Sequence, residues 1–124
     1  MAGGEAVYQE IVTVLEERLR DPELAARLQR ADTVVLYRLE DIDALLTLDV
    51  RADHDPALIA GPCPLEPQVT LTMSADTALR FLLGQLNVTV ALARGEIQAH
   101  GRVHKLLRLV TLVRPALTGR AVPA

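Results

Sequence analysis

Apolar positions along this chain switch between two periods, and the switches mark its elements. From Glu5 to Arg20, Tyr8, Ile11, Val12, Leu15 and Leu19 share one stripe of an amphipathic helix. Asp21-Pro22-Glu23 then restarts a helix, with an Asp cap, a proline in the first helical position and an acid in the first turn. That second helix runs to about Ala31 and buries Leu24 and Leu28. The period then drops to two. Thr33 to Glu40 reads as a strand whose centre, Val34 to Tyr37, is apolar on both faces and so expects burial on both. Asp41-Ile42-Asp43 reads as a turn. Ala44 to Arg51 alternates, with Leu46, Leu48 and Val50 inward and Thr47, Asp49 and Arg51 outward, so the two strands predict an antiparallel hairpin. Asp53 to Pro56 turns the chain again, and Ala57 to Ala60 reads as a short strand. Gly61 to Pro67 holds three prolines within six residues, which remove backbone donors. This stretch expects a place at a sheet edge or a crossing to the next strand.

The second half repeats the alternation of strand and helix. Gln68 to Met73 places Val69, Leu71 and Met73 on one face and Thr70 and Thr72 on the other. Ser74 caps the following helix, Asp76 puts negative charge at its positive end, and the helix is expected to end near Gly84. A short helix from Val88 to Arg94 sits between a cap at Asn87 and a stop at Gly95. Glu96 to His100 reads as a strand ending at Gly101. Arg102 to Val113 reads as a last helix, stopped by Pro115. The pattern predicts an α+β fold: about five strands in one mostly antiparallel sheet, covered on one face by four to five helices. The chain is read as one domain over 1–124, with 1–4 and 116–124 as flexible tails.

Composition narrows the function classes. Hydrophobic residues make up 50% of the chain, which excludes a disordered polymer. Aromatics are only 2%, Phe81, Tyr8 and Tyr37, so the core must be aliphatic, which argues against a stacking platform for nucleic acid. The net charge of −3 also opposes a general nucleic-acid binder, although Arg94, Arg102, Lys105, Arg108, Arg114 and Arg120 crowd the last third. Cys63 is the only cysteine, so an internal disulfide is excluded. The opening residues lack the basic and apolar segments of a secretory signal, and the ending is not of the Ser-Lys-Leu type, so a cytoplasmic location is expected.

The ordered set from Val69 to Val113 resembles the sterol carrier protein type 2 family. A threonine-rich strand enters a Ser-Ala-Asp helix start (Val69 to Asp76), and a helix ends in Leu-Leu-Gly (Leu82 to Gly84). The run Ala91 to Gly101 is similar to the family's small-residue, glycine, alternating-strand, glycine pattern, and an apolar helix follows. The resemblance implies an apolar tunnel between sheet and helices, and a non-enzymatic protein that holds a sterol, fatty acyl or similar apolar ligand. On that reading the tunnel walls are Leu48, Val50, Leu71, Met73, Phe81, Leu82, Leu86, Val90, Ile97, Leu106, Leu109 and Val110. The last helix fits it independently. Val103, Leu106, Leu107 and Val110 follow one face, and Leu109 and Leu112 widen it, so the helix needs two apolar neighbours. The second neighbour is a lipid, the first helix, a membrane surface or a partner subunit. The alternative function is therefore an accessory or interaction protein without a working cavity, as a homodimer or on an enzyme, with Leu109 and Leu112 at the interface.

No constellation predicts catalysis. Asp53-His54-Asp55 could orient a base, but no nucleophile is placed to use it. Cys63 lies among prolines without a nearby base to activate it. His100 and His104 are separated by Gly101 and have no third ligand nearby, so no metal site is expected. Gly84, Gly95 and Gly101 lack the spacing and lysine of a phosphate loop. No cofactor is expected beyond a bound lipid.

Overall fold

The computed structural model describes residues 2–83 and 85–105. Helix α1 spans Ala2–Leu19 and α2 spans Pro22–Gln29. The strands are β1 (Val34–Leu39), β2 (Ala44–Asp49), β3 (Ala57–Ala60), β4 (Val69–Met73) and β5 (Gln98–Gly101), with α3 (Ala75–Leu82) and α4 (Val88–Arg94) between β4 and β5. The caps are those the side chains favour. Asp21 accepts from the Glu23 amide, Ser74 from the Thr77 amide and Asn87 from the Val90 amide. Residues 103–105 are helical; the remainder of the expected last helix lies outside the described residues.

The five strands form one sheet in the order β3-β2-β1-β4-β5. Three of its neighbouring pairs are antiparallel, and β1 with β4 is parallel. Parallel strands need a crossover, and here β2, β3 and the proline segment supply it. By these registers β3 runs in the same direction as β4, with two strands between them. Residues 61–68 must therefore return from one end of the sheet to the other while crossing its middle. At about 3.3 Å per residue only a nearly extended chain spans that path. Prolines favour such a chain, so of the two expectations for this segment, the crossing holds.

Alternation separates the faces of the sheet. Val35, Tyr37, Leu39, Leu46, Leu48, Val69, Leu71 and Met73 are all buried, and they join Ile11, Leu15, Leu24, Leu28, Ala78 and Phe81 of the helices in one core. The opposite face carries Leu36, Thr70 and Thr72, half-buried, and Arg38, Gln98 and His100, exposed. The helices thus cover one face, as expected. Three polar bonds fix α1 over it. The Tyr8 hydroxyl donates to the Leu45 carbonyl at 2.8 Å and accepts from the Gly61 amide at 3.1 Å. At the other end Arg18 donates to the Leu82 carbonyl, in the last turn of α3.

Several boundaries and facings differ from the expectation. Helix α1 begins at Ala2 rather than Glu5, and β5 begins at Gln98 rather than Glu96. The Ile97 amide instead bonds back to Ala91, which closes the turn after α4. Thr47 and Asp49 were expected to face solvent but are 2% and 3% exposed. Thr47 is small and sits between Leu36 and Ile59 in one cross-strand row. Asp49 is covered by the side chains that bond it. Asp41 does more than turn the chain, since its carboxylate accepts from the Ala75 amide at the start of α3.

Gly101 closes β5 with φ +93, and a Cβ there would collide with the carbonyl oxygen of Gln68. Gly95 also has positive φ, at +77, but has open space around it. Gly95→Ala is expected to cost about 1 kcal/mol, the backbone strain alone. Gly101→Ala is expected to cost about 3 kcal/mol or more, because it adds a steric clash to the strain. Urea denaturation of the pair measures the difference; equal losses would show that the Gln68 contact imposes nothing.

Candidate functional site

The residues expected to line a tunnel come from separate elements, and most of them meet. Leu48 on β2, Val50 just after it, and Leu71 and Met73 on β4 stand on the helix-covered face at 0–2% exposure. Phe81 and Leu82 of α3 reach the same cluster at 8% and 7%, and Ile97, just before β5, at 1%. Leu86 is partly buried against that cluster. Val90 departs from the set: α4 buries Ala91 instead, and Val90 is 40% exposed. Leu106, Leu109 and Val110 lie outside the described residues, as do Leu107, Leu112 and Val113.

Sequence reasoning passed over much of the wall these residues share. Ile11, Leu15, Leu24 and Leu28 complete it from α1 and α2, and Val35, Tyr37 and Leu39 from β1. The signal was present, because both helices carry a single apolar stripe that must cover something. The resulting cluster is aliphatic with two rings, Phe81 and Tyr37. Burial pushes the Tyr37 hydroxyl up to about 12, so it is neutral and supplies no base near neutral pH. Two open grooves lie on the described surface. One, of about 250 Å³, is lined by Val14, Glu17, Arg18, Asp21 and Leu83. The other, of about 360 Å³, is lined by Val12, Glu16, Leu19, Arg20, Leu58 and Ala60. Among the described residues, no expected tunnel residue lines either.

A concentration of titratable groups stands at the end of β2. Arg51 holds Asp49 through two bonds, Nε to Oδ1 at 2.9 Å and Nη2 to Oδ2 at 2.8 Å. The His54 Nε2 lies 3.1 Å from the same Oδ2. Its Nδ1 lies 2.7 Å from the Asp55 carbonyl, and the His54 carbonyl accepts from Gln29 of α2. The bond from Arg51 holds the Asp49 carboxyl below the usual carboxylate range. The Asp55 carbonyl first, then Asp49 and Asp53, raise His54 above the ordinary histidine value. Both ring nitrogens are engaged with the protein, so neither is aimed at a substrate. This is a clasp that ties the loop after β2 to α2.

The other sequence candidates remain separate. Cys63 is half-buried, and His100 and His104 are exposed on β5 and after it. Among the described residues no three His, Cys, Asp or Glu side chains gather as metal ligands. Of the late basic residues, Arg94 lies 4.0 Å from Glu96, and Lys105 donates to the Asp32 carbonyl. Arg102 is exposed, and Arg108, Arg114 and Arg120 lie outside the described residues. Among the described residues no helix is long and apolar enough to cross a membrane.

Comparison with known proteins agrees with this architecture. The sterol carrier protein domain 2 of Helicoverpa armigera superposes with a TM-score of 0.73 at 18% identity, over 95% of this chain and 92% of that one. A ubiquinone synthesis protein, UbiJ-SCP2, gives 0.67 at 16% identity, over 94% of this chain and 99% of that one. The sec-alkylsulfatase Pisa1 from Pseudomonas sp. gives 0.61 at 18% identity over 71% of this chain, which spans only 14% of that enzyme. At these identities the likeness shows the fold. None of the curated proteins matches the chain in sequence. The profile of the SCP-2 sterol transfer family matches residues 12–114, and the chain belongs to that family.

Proposed function

We propose that this chain is a non-enzymatic lipid-binding or lipid-transfer protein, which holds a sterol, fatty acyl or similar apolar ligand between its sheet and its helices. The observation that carries this reading is the continuous aliphatic wall, drawn from β1, β2, β4, α1 and α3 in a member of a sterol transfer family. Such a site needs no catalyst. Moving a lipid from water into an apolar interior gains about 25 cal/mol per Å² buried. Aliphatic walls with Met73 among them adapt to a floppy chain, since Met has no branch and a polarisable sulfur. Helix α4 is the part best suited to yield, because Ala91 is its only fully buried residue. Seven residues make a helix too short to hold its shape without tertiary support. Displacing it would open the cluster beside Ile97 and Leu86, and a ligand entering there would cover Val90.

A second reading is favoured by one specific observation. The strand residues of the wall are 0–5% exposed and pack against other side chains of the core. A domain whose interior is filled serves as an accessory or interaction module, and the likeness to UbiJ-SCP2 and to part of a sulfatase is compatible with that.

Native mass spectrometry of delipidated protein, titrated with palmitate and with cholesterol, separates the two readings. The carrier reading expects one ligand per chain. It also expects a rise in Tm of about 10 °C at a hundredfold excess over Kd. A clean apo mass with no shift for either ligand would overturn it and leave the accessory reading.

The clasp reading of His54 makes a separate prediction, which a catalytic histidine would not share. Its folded-state value is raised above 6.5, so its contribution to stability is fully present below pH 6.5 and is lost as pH rises through the folded value. Asp49, held low, contributes above its ordinary value of 3.8 and is lost only as pH falls through the lowered one. His54→Gln is expected to lose stability at about pH 6, where the imidazolium faces a charged Asp49, and to converge on the parent by about pH 8. Denaturant titrations across that range check it; a constant deficit would show that the charge of His54 plays no part.

A further inference from the structure

We propose that His54 is the latch of a pH-sensitive loop: residues 52–55 are held against α2 and the turn after it while the imidazole carries two protons, and are released when it loses one. The geometry calls for the charged ring. Its Nε2 stands 3.1 Å from the Asp49 Oδ2, and its Nδ1 stands 2.7 Å from the Asp55 carbonyl oxygen. Both partners only accept, since Asp49 is a carboxylate that already takes two bonds from the Arg51 guanidinium. A neutral imidazole has a single N–H, so it satisfies one of the two contacts. The other nitrogen then turns a lone pair toward an oxygen lone pair, and that contact has to open. Neither tautomer escapes this, because an acceptor stands at each ring nitrogen.

The groups around the ring support the closed form. On its own loop, Asp53 lies 3.7 Å from Nε2, and the nearby cation, Arg51, is committed to Asp49. From α2, the uncharged Gln29 donates to the His54 carbonyl at 2.6 Å. From the turn between α2 and β1, Asp32 accepts from the Ala52 amide at 2.9 Å. The Asp55 carbonyl first, then Asp49 and Asp53, raise the ring above the ordinary histidine value, while Arg51 opposes them. The loop is therefore closed below pH 6.5 and opens as pH rises through the raised value. The turn is the fixed half of the device. The Asp32 carbonyl accepts from Lys105 at 2.8 Å, and the Thr33 carbonyl accepts from the Val50 amide at 2.9 Å. The loop is the moving half. Once the ring lets go, the Gln29 and Ala52 bonds that still tie it have neutral donors, and the second is exposed to water. Arg51 keeps Asp49 paired after the ring leaves, so opening strands no buried carboxylate. The motion is local to the native state and calls on no bound lipid.

Backbone ¹⁵N relaxation of the ligand-free native protein at about pH 5.5 and about pH 8.5 tests it, with the ¹⁵N shifts of the His54 ring reporting its protonation. Asp49, held low by Arg51, is charged at both. The expected result is that order parameters of residues 52–55 fall from about 0.85 to below about 0.6 as the ring titrates, while those of β1 and β4 stay constant. His54→Gln, which has no charge to gain, is expected to leave the loop mobile at both values. A loop equally ordered on both sides of the His54 titration, or one rigid at both values in His54→Gln, would overturn the proposal. If that variant fails to fold, the titration of the parent protein decides alone.

Discussion

The parallel contact between β1 and β4 is the constraint on which the rest of the structure depends. It joins Val35 to Val69, Tyr37 to Leu71 and Leu39 to Met73, each 5% exposed or less. A parallel pair cannot be closed by a tight turn, so the chain must leave the sheet's centre and return to it. It does so by laying down β2 and β3 on one side and then crossing back through the proline segment. The strands that follow have only the other side left. The helices are in turn fixed by the aliphatic face this contact creates, because that face has no polar alternative and must be covered.

With two rings in the core, the covering is done by branched aliphatic side chains. These pack by shape and tolerate replacement by other apolar matter of similar volume. The same property makes the interior both a stable core and a suitable lipid environment. The polar bonds stand at its margin: Tyr8 to Leu45 and Gly61, Arg18 to Leu82, Asp41 to Ala75, and the Asp49 clasp. They orient helices and loops around the apolar core without entering it.

Most of the fold was legible in the sequence because it rests on local signals. Asp21, Ser74 and Asn87 announce their helices, and strict alternation announces β2 and β4. The pairing of β1 with β4 was not legible, since periodicity says which face a strand buries and not which neighbour it takes. The facing of Thr47 failed for a related reason: its burial comes from Leu36 and Ile59 on adjacent strands, and no pattern within β2 reports them. Asp49 was misplaced because a carboxylate normally seeks water. Here Arg51, two residues on, supplies the hydrogen bonds that let it stay inside. Of the expected lining residues, the burial of those on strands was readable from alternation, and of those on α3 from its stripe. Val90 was not, because in a helix of seven residues a single step of rotation exchanges the buried position for its neighbour, and Ala91 took it.

That exchange bears on how an apolar ligand would enter. Under α4 only Ala91 is fully buried, with Val88 and Leu92 half-buried beside it, so the helix has less area to hold it down than α1. Helix α1, at 18 residues, is by contrast tied down by Ile11, Leu15, Tyr8 and Arg18. Work done on the interior therefore falls on the weakest cover. Raising α4 would uncover Ala91 together with the half-buried Val88 and Leu92, so an entering ligand must bury more apolar surface than those three give up. At about 25 cal/mol per Å², the surplus favours the lipid as long as the strand face beneath keeps its shape. The strands can keep it, because their backbone hydrogen bonds are made between themselves and do not pass through α4.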